Sequence, residues 1–360
     1  MTCASIKKRE LLILIGTIFI CLVGIEMGLR YFPFFAKRSG VFEPQSNRKN
    51  LSDIVTVFEP NYTGKHIARD FKVDIRANSL GFREREIDFD KMSLERPLLF
   101  LGDSYFFGWG VERELRFSER LSKTPQFQLP IVNLSFPGQG TSHYFDMLNM
   151  YAKKLNPRQI IIGFFVGNDF LDDQNALRIR TNDTKKQFFA GSFRKFVRES
   201  RVINVVKYSL WSIPWFRDVF NKAELRNERI NLFCDGNKKN QNLLYSTTFS
   251  MLNKISEFSN NNHIPILIII IPDHLQVIDT GVFEECDIYN PQKKLTEFLK
   301  KIELPYLDIL PYFQNSKEPE LYYFREDKHW TPEGHEFIRK IIIEHLSIHD
   351  SAGLPVPLPK

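Results

Sequence analysis

Short apolar runs alternate with longer segments of helical periodicity over most of this chain. The runs are rich in Ile, Leu, Val and Phe and end at Gly, Pro or Asn, as buried strands entering turns do. They predict strands at 97–101, 131–134, 159–165, 264–271 and 305–309. Helices are predicted near 111–123, 141–155, 246–261, 291–302 and 332–347. The alternation predicts an α/β domain built on a doubly wound parallel sheet.

One long stretch, from Leu171 to Leu244, does not follow this alternation. It is too long for a plain connection, so we expect it to have structure of its own. Within it, residues 193–211 mix aromatic, aliphatic and basic side chains, which predicts one or two amphipathic helices. Two interpretations stay open for these helices: a cap packed beside the site, or a surface that dips into a lipid interface.

The N-terminal segment, residues 1–30, has the pattern of a membrane anchor. Basic residues at 7–9 precede an uncharged run from Leu11 to Ile25. Continued to Leu29, a helix here would be about 28 Å long, close to the thickness of a bilayer core. No A-x-A cleavage site follows, which favours an uncleaved signal anchor over a cleaved signal peptide. The basic residues predict a cytoplasmic N-terminus and an extracytoplasmic, periplasmic catalytic domain.

The remaining boundaries follow from the same pattern. A core domain is predicted over residues 97–347, with a helical insertion at about 171–244. Residues 31–96 form a juxtamembrane segment with lead-in strands, of which the alternating stretch 71–76 predicts an edge strand or a hairpin arm. Residues 348–360 form a C-terminal tail.

Charge and composition exclude some classes of function. The net charge is +6, but the Lys and Arg residues are scattered and form no basic stripe interleaved with aromatics. We therefore expect no nucleic-acid partner. His329 and His335 lie six residues apart, which does not match the spacing of two metal ligands on a helix, so no metal is expected. Cys234 and Cys286 would both be exported, and a disulfide and two free thiols stay open.

Three polar turns follow consecutive predicted strands. Ser104 follows the first strand, Gly138 the second and Asn168 the third. Because the carboxyl ends of parallel strands meet at one edge of a sheet, these residues should converge there. The backbone N–H groups of Ser104 and Gly138, together with the amide of Asn168, would then surround one oxyanion.

A histidine near the C-terminus completes the set. His329 follows Asp327 by two residues and Glu326 by three. A carboxylate beside a histidine orients the imidazole as a general base, and Ser, His and Asp together are the parts of a nucleophilic hydrolase. Asp327 is favoured as the acid of the triad, with Glu326 as the alternative, because triads are defined by geometry rather than spacing.

These motifs resemble the SGNH (GDSL-like) hydrolases over about residues 71–347. The four marker residues of that family fall on Ser104, Gly138, Asn168 and His329. The segment Asn78-Ser79-Leu80-Gly81-Phe82-Arg83 is similar to the lead-in of membrane-anchored bacterial members. Two positions depart from the family pattern: Val166 stands where the third block usually has Gly, and the family's usual acid position is occupied by Glu326.

The resemblance implies a flavodoxin-like sheet of five parallel strands and a serine esterase or O-acyltransferase without cofactor or metal. It points to acyl esters, chiefly acetyl esters, of envelope glycans as substrates. Two alternatives stay open. One is a lipid-directed esterase or lipase held at the bilayer. The other is a catalytically weak protein that binds or assembles glycans and keeps the fold.

Overall fold

The structure, a computed structural model, describes most of the chain. The described residues are 8–31, 48–125, 129–181, 200, 202–203, 210, 213, 215–216, 219, 229–230, 232–234, 238–278 and 283–350. The chain forms two compact units. The first comprises Met1–Val41 and Thr184–Glu224, and the second comprises Phe42–Asp183 and Leu225–Lys360.

The first unit contains helix α1, Lys8–Tyr31. The carboxylate of Glu26 accepts hydrogen bonds from the hydroxyl of Ser200 at 2.9 Å and from the backbone N–H of Val202 at 3.0 Å. Within the described residues, no helix combines the length and the apolar composition needed to cross a membrane. The membrane-spanning assignment of residues 1–30 remains a prediction from the sequence. Most of the predicted amphipathic segment 193–211 lies outside the described residues.

The second unit contains all the strands that the structure describes. They are β1 (Arg48–Asn50), β2 (Thr56–Phe58), β3 (Thr63–Ile67), β4 (Lys72–Arg76), β5 (Leu98–Gly102), β6 (Ile131–Asn133), β7 (Gln159–Phe165), β8 (Ile266–Ile271) and β9 (Tyr306–Asp308). Its described helices are α2 (Phe89–Glu95), α3 (Ser104–Phe107), α4 (Phe117–Leu121), α5 (Thr141–Leu155), α6 (Asp169–Arg180), α7 (Lys238–Asn262), α8 (His274–Val277), α9 (Asn290–Lys301), α10 (Leu310–Gln314) and α11 (Pro332–Asp350).

Five parallel strands form the central sheet in the order β6-β5-β7-β8-β9. Numbered from the first core strand, this is the order 2-1-3-4-5 of flavodoxin-like sheets. Every residue of β8 is buried, as its uninterrupted apolar run predicts for a central strand. The predicted α/β class and five-stranded parallel sheet are therefore confirmed.

Helices cover both faces of this sheet because successive side chains of a strand point to opposite faces. On β5, Leu99 and Leu101 belong to the apolar cluster that includes residues of α5, α7 and α9. Leu98 and Phe100 belong to a second cluster, which includes residues of α4, α10 and α11. The doubly wound arrangement thus follows from strands that are apolar on both sides.

Two helix predictions need correction. The predicted helix near 111–123 is a 3₁₀ turn at Arg113–Leu115 followed by the short α4, because Arg116 has an extended backbone between them. Helix α7 begins at Lys238, earlier than the predicted start near 246. Its first turns are polar, so apolar periodicity gives no signal for them.

Two small antiparallel hairpins precede the sheet. Strand β1 pairs with β2, and β3 pairs with β4. The alternating segment 71–76 is therefore a hairpin arm, one of the two predicted alternatives. Cys234 and Cys286 form a disulfide, with Cα atoms 5.0 Å apart, which decides the question that the sequence left open.

A tight loop after β4 contains the segment 78–83. The side-chain oxygen of Asn78 accepts hydrogen bonds from the N–H groups of Leu80 and Phe82, and its amide donates to the carbonyl of Arg85. Gly81 has a positive φ of 91°, and a Cβ added there would lie 2.1 Å from the carbonyl oxygen of Phe58. The loop thus requires both the asparagine and the glycine.

The same loop directs Arg83 into the core, where it is 1% exposed. Its guanidinium donates to the carbonyl oxygens of Gly108 at 2.8 Å and Val111 at 2.6 Å, and to that of Asp74 at 3.2 Å. A buried arginine therefore ties β4 to the segment 108–111, which follows α3.

We predict that Gly81→Ala lowers the free energy of unfolding by about 2 kcal/mol or more, because the left-handed conformation and the contact with Phe58 both oppose a Cβ. Urea denaturation measures this change. Gly138→Ala is the matched control: Gly138 has φ 75° but open space around the added Cβ, so the loss should be only about 1 kcal/mol. Equal losses in the two variants would contradict the steric argument.

Candidate active site

The carboxyl edge of the sheet brings three of the candidate residues together. The N–H of Phe136 donates to the carbonyl of Gly102 at 3.0 Å, so the chain after β6 continues in register with β5. Ser104 and Gly138 each come two residues after this pair. Gly102 is also paired with Gly163 of β7, after which the chain turns at Asn168. Parallel register therefore places these turns at the same edge of the sheet.

Ser104, His329 and Asp327 form a continuous hydrogen-bonded chain. The Nε2 atom of His329 lies 2.8 Å from the Oγ of Ser104, and its Nδ1 lies 2.6 Å from Oδ1 of Asp327. Ser104 Oγ also lies 3.2 Å from Oδ2 of Asp103, a longer contact than the one to the imidazole. Of the two candidate acids, Asp327 contacts the imidazole of His329. The backbone N–H of Glu326 donates to Asp70.

The loop that carries the acid is held by a residue far away in sequence. One carboxylate oxygen of Asp70 accepts hydrogen bonds from the backbone N–H groups of both Glu326 and Asp327, each at 2.8 Å. The hydroxyl of Tyr105 donates to the carbonyl of Lys328, which has a positive φ of 71°. These contacts explain how a strained turn keeps the Asp327 side chain directed at the imidazole.

Trp109, which no sequence motif indicated, contacts the acid as well. Its indole N–H donates to Oδ2 of Asp327 at 3.1 Å, and its ring lies 5.6 Å from that of His329. Arg83 holds the carbonyls of Gly108 and Val111 on either side of Trp109. In the sequence, Trp109 lies between two glycines, but that pattern does not predict a hydrogen bond to Asp327.

Opposing effects act on the charge of Asp327. Burial raises the pKa of this carboxyl, but the charge of His329 and the hydrogen bonds from His329 and Trp109 outweigh burial and hold the pKa below its usual value. Asp327 is therefore ionised at neutral pH, which is the state that accepts the Nδ1 proton of a neutral imidazole.

Two groups at the same edge have free hydrogen-bonding capacity among the described residues. Gly138 is exposed, and its N–H donates to no described residue. Asn168 precedes α6, and its buried Oδ1 has no partner among the described residues. The N–H of Gly138 is a donor of the kind that binds an oxyanion. From Asn168, only the amide N–H₂ could act in this way, because its Oδ1 is an acceptor.

Several buried carboxyls lie in the turns that carry Ser104 and Asn168. Burial raises the pKa of Asp103 to about 6, and that of Asp172 to about 7 with a contribution from the charge of Asp103. The pKa of Asp169 is also raised, first by burial and then by neighbouring carboxylates. Each of these carboxyls is therefore harder to ionise than a free aspartate.

No group of three or more His, Cys, Asp or Glu side chains within the described ranges is arranged to hold a metal ion.

Solved structures with a similar fold have low sequence identity to this chain. A GDSL-like lipase from Bacteroides thetaiotaomicron shares 14% identity over 71% of this chain and 89% of its own, with a TM-score of 0.36. A lipase/acylhydrolase from Enterococcus faecalis shares 13% over 74% and 100%, with a TM-score of 0.40. An acetyl xylan esterase shares 14% over 69% and 99%, with a TM-score of 0.41. No protein-family model and no curated protein matches the sequence.

The raised pKa of Asp172 makes the stability of the fold depend on pH. A carboxyl whose folded-state pKa is raised contributes stability below its unfolded pKa and loses that stability as pH rises through about 7. The free energy of unfolding of Asp172→Asn, relative to that of the parent protein, should therefore be higher at pH 8 than at pH 4.5. Chemical denaturation at the two pH values measures this difference.

Asp287→Asn is the matched control for this experiment. The hydrogen bond from Lys293 lowers the pKa of the Asp287 carboxyl, so its replacement should not become more favourable with rising pH. A difference between Asp172→Asn and the parent that is the same at both pH values would contradict the assignment.

Proposed function

We propose that the protein is a serine ester hydrolase or O-acyltransferase with Ser104 as its nucleophile. The observation that carries this proposal is the hydrogen-bonded chain Asp327–His329–Ser104 at the carboxyl edge of the sheet. A serine is a weak nucleophile until a base removes its proton, and His329 Nε2 is within hydrogen-bonding distance for that transfer.

The geometry supports a two-step acyl transfer. Ser104 Oγ attacks the ester carbonyl while His329 takes its proton, and Asp327 holds the imidazole in the correct tautomer. The N–H groups of Ser104 and Gly138 and the amide of Asn168 stabilise the oxyanion. The tetrahedral intermediate then expels the alcohol, which receives the proton from His329 and leaves an acyl-enzyme. Water completes hydrolysis, whereas a second alcohol completes transfer.

As substrates we propose acyl esters, chiefly acetyl esters, of envelope glycans. The support is the resemblance of the sequence motifs to the membrane-anchored bacterial type, including the segment 78–83. The structure gives that segment a physical role, because it places Arg83 against the loop that carries Trp109. A lipid-directed esterase is the alternative, and the length of the acyl chain that is cleaved separates the two.

We further propose an extracytoplasmic location, with residues 1–30 as a single-pass anchor. The basic residues at 7–9 before the uncharged run to Ile25 support this orientation. The disulfide between Cys234 and Cys286 also supports it, because disulfides persist in oxidising compartments such as the periplasm.

The nucleophile is tested by covalent labelling. A fluorophosphonate should label the protein at Ser104, and Ser104→Ala should lose both the label and turnover of p-nitrophenyl acetate while keeping its unfolding transition. Ser246→Ala, on the exposed face of α7, is the matched control and should keep both. Full esterase activity in Ser104→Ala would refute the proposed function.

Trp109→Phe tests the support of the acid. It removes the hydrogen bond to Asp327 but keeps an aromatic ring. Hydrogen bonds to charged groups contribute about 1.5–3 kcal/mol, so we expect kcat to fall roughly tenfold or more, with a smaller change in KM. Steady-state kinetics on p-nitrophenyl acetate measures this. A change confined to KM would show instead that Trp109 acts only by contacting the substrate.

The location is tested with a reporter fused after residue 360. We expect activity only from a reporter that requires export, and full-length protein in the membrane fraction after a carbonate wash. A soluble product that begins near residue 30 would reveal a cleaved signal peptide, and a reporter active only in the cytoplasm would overturn the envelope function.

A further inference from the structure

An ion pair that the proposed mechanism does not use lies beside the turn that carries Asn168. Its acid, Asp273, comes two residues after the end of β8, and Gly167 comes two residues after the end of β7. Phe165 is paired with Ile271 at these two strand ends, so Asp273 and Gly167 leave the sheet at the same level. A Cβ added at Gly167 would lie 2.4 Å from Oδ2 of Asp273. The carboxylate therefore lies directly against the residue that precedes Asn168.

Both carboxylate oxygens of Asp273 are held by partners, and the side chain is completely buried. Oδ1 accepts a hydrogen bond from the backbone N–H of Leu275 at 3.0 Å and lies 3.1 Å from Nδ1 of His274. Oδ2 accepts a hydrogen bond from Nε of Arg229 at 2.9 Å. The same oxygen that lies against Gly167 is therefore the one that Arg229 holds. A buried carboxylate needs such a charged partner to stay ionised.

Arg229 reaches this position on a short helical turn that is itself fixed in place. Leu232 and Phe233, on the same turn, are buried. The disulfide between Cys234 and Cys286 ties the end of the turn to the chain that follows α8. The turn belongs to the segment between α6 and α7, where the alternation of strands and helices is interrupted. That segment therefore contributes a charged side chain to the carboxyl edge of the sheet.

The charge of Arg229 also acts on the helix that begins after Asn168. Burial raises the pKa of the Asp172 carboxyl to about 7, and the charge of Arg229 opposes that rise. Asp172 lies in the first turn of α6, and its backbone N–H donates to the carbonyl of Asn168 at 2.9 Å. Arg229 thus attracts carboxyl groups on both sides of the turn, that of Asp273 after β8 and that of Asp172 on α6.

We propose that Arg229 is a positioning residue for the oxyanion hole: through its ion pair with Asp273 it holds the turn at Gly167 and Asn168, and with it the amide of Asn168, at the carboxyl edge of the sheet. This inference rests on the proposed function and deepens it, since it identifies what keeps one oxyanion donor in place. A displacement of about 1 Å can lower a rate about 10²-fold, so a side chain that touches no reacting atom can still control kcat.

Arg229→Gln tests this role by steady-state kinetics on p-nitrophenyl acetate. We expect kcat to fall at least about tenfold, with a smaller change in KM, because the amide of Asn168 would no longer be held beside the oxyanion. Arg229→Lys, which keeps the charge, should recover part of kcat. Arg180→Gln is the matched control: it removes an arginine–aspartate pair, with Asp146 at 2.6 Å, at the other end of α6 and should keep the parent kcat.

A second variant keeps the test valid if Arg229→Gln does not fold. Arg229→Gln alone leaves a buried carboxylate without its charged partner, which is strongly destabilising. Arg229→Gln/Asp273→Asn leaves no unpaired buried charge and keeps a hydrogen-bonding amide at each position, so its thermal unfolding transition should be retained. Its kcat should still be reduced, because a neutral hydrogen bond is weaker than a charge-assisted one. A folded double variant with the parent kcat would contradict the proposal.

A double-mutant cycle with Asn168 separates positioning from a merely structural role. If Arg229 acts through Asn168, then Arg229→Gln should change kcat by less than about twofold in the Asn168→Ala background, because the group that it positions is already absent. The cycle is repeated with Arg229→Gln/Asp273→Asn. The same fold-loss of kcat in both backgrounds, or an effect confined to KM, would refute the positioning role.

Amide hydrogen exchange tests the same role without using activity. The backbone N–H groups of Leu171 and Asp172 donate to the carbonyl of Asn168 at 2.7 and 2.9 Å. Both should exchange at least about tenfold faster in Arg229→Gln/Asp273→Asn than in the parent protein, and at the parent rate in Arg180→Gln. If the parent protein hydrolyses no ester but this difference is found, the proposed function fails and the role of Arg229 in holding the turn stands. Unchanged exchange refutes that role whatever the esterase activity.

Discussion

Parallel pairing of β5 with both β6 and β7 is the constraint on which the site depends. The hydrogen bond from Phe136 to Gly102 and the pairing of Gly102 with Gly163 align three strand ends. Because their turns leave the sheet at the same edge, a serine, a glycine and an asparagine from distant parts of the sequence become neighbours. His329 then reaches Ser104 across 225 residues of sequence, and every proposed step requires that contact.

A second set of contacts supports the acid from outside the sheet. Asp70 holds the backbone of the acid loop, and Trp109 donates to the Asp327 carboxylate. Trp109 is in turn flanked by carbonyls that the buried Arg83 holds. The hairpin region therefore acts on the geometry of the imidazole. A side chain orients its neighbour best when its own position is fixed by packing and hydrogen bonds.

The buried carboxyls near Ser104 and Asn168 differ from Asp273 in how burial and neighbouring charges balance. Asp103 and Asp172 are buried with raised pKa values, which disfavours their charged forms and costs stability as pH rises. Asp273 differs: although burial opposes its charge, its ion pair with Arg229 at 2.9 Å and its contact with His274 hold its pKa far below the usual value. Asp103 and Asp172 are thus harder to ionise than Asp273, whereas Asp327 of the triad stays ionised.

The sequence by itself determined the strands, their alternation with helices, and the turns in which Ser104, Gly138 and Asn168 lie. These are local properties, because periodicity and turn residues act over a few positions. Only the tertiary structure decided which acid contacts His329 and that Trp109 reaches Asp327. Those outcomes depend on side-chain directions and on contacts between residues as much as 225 positions apart, and no local pattern records how such residues meet.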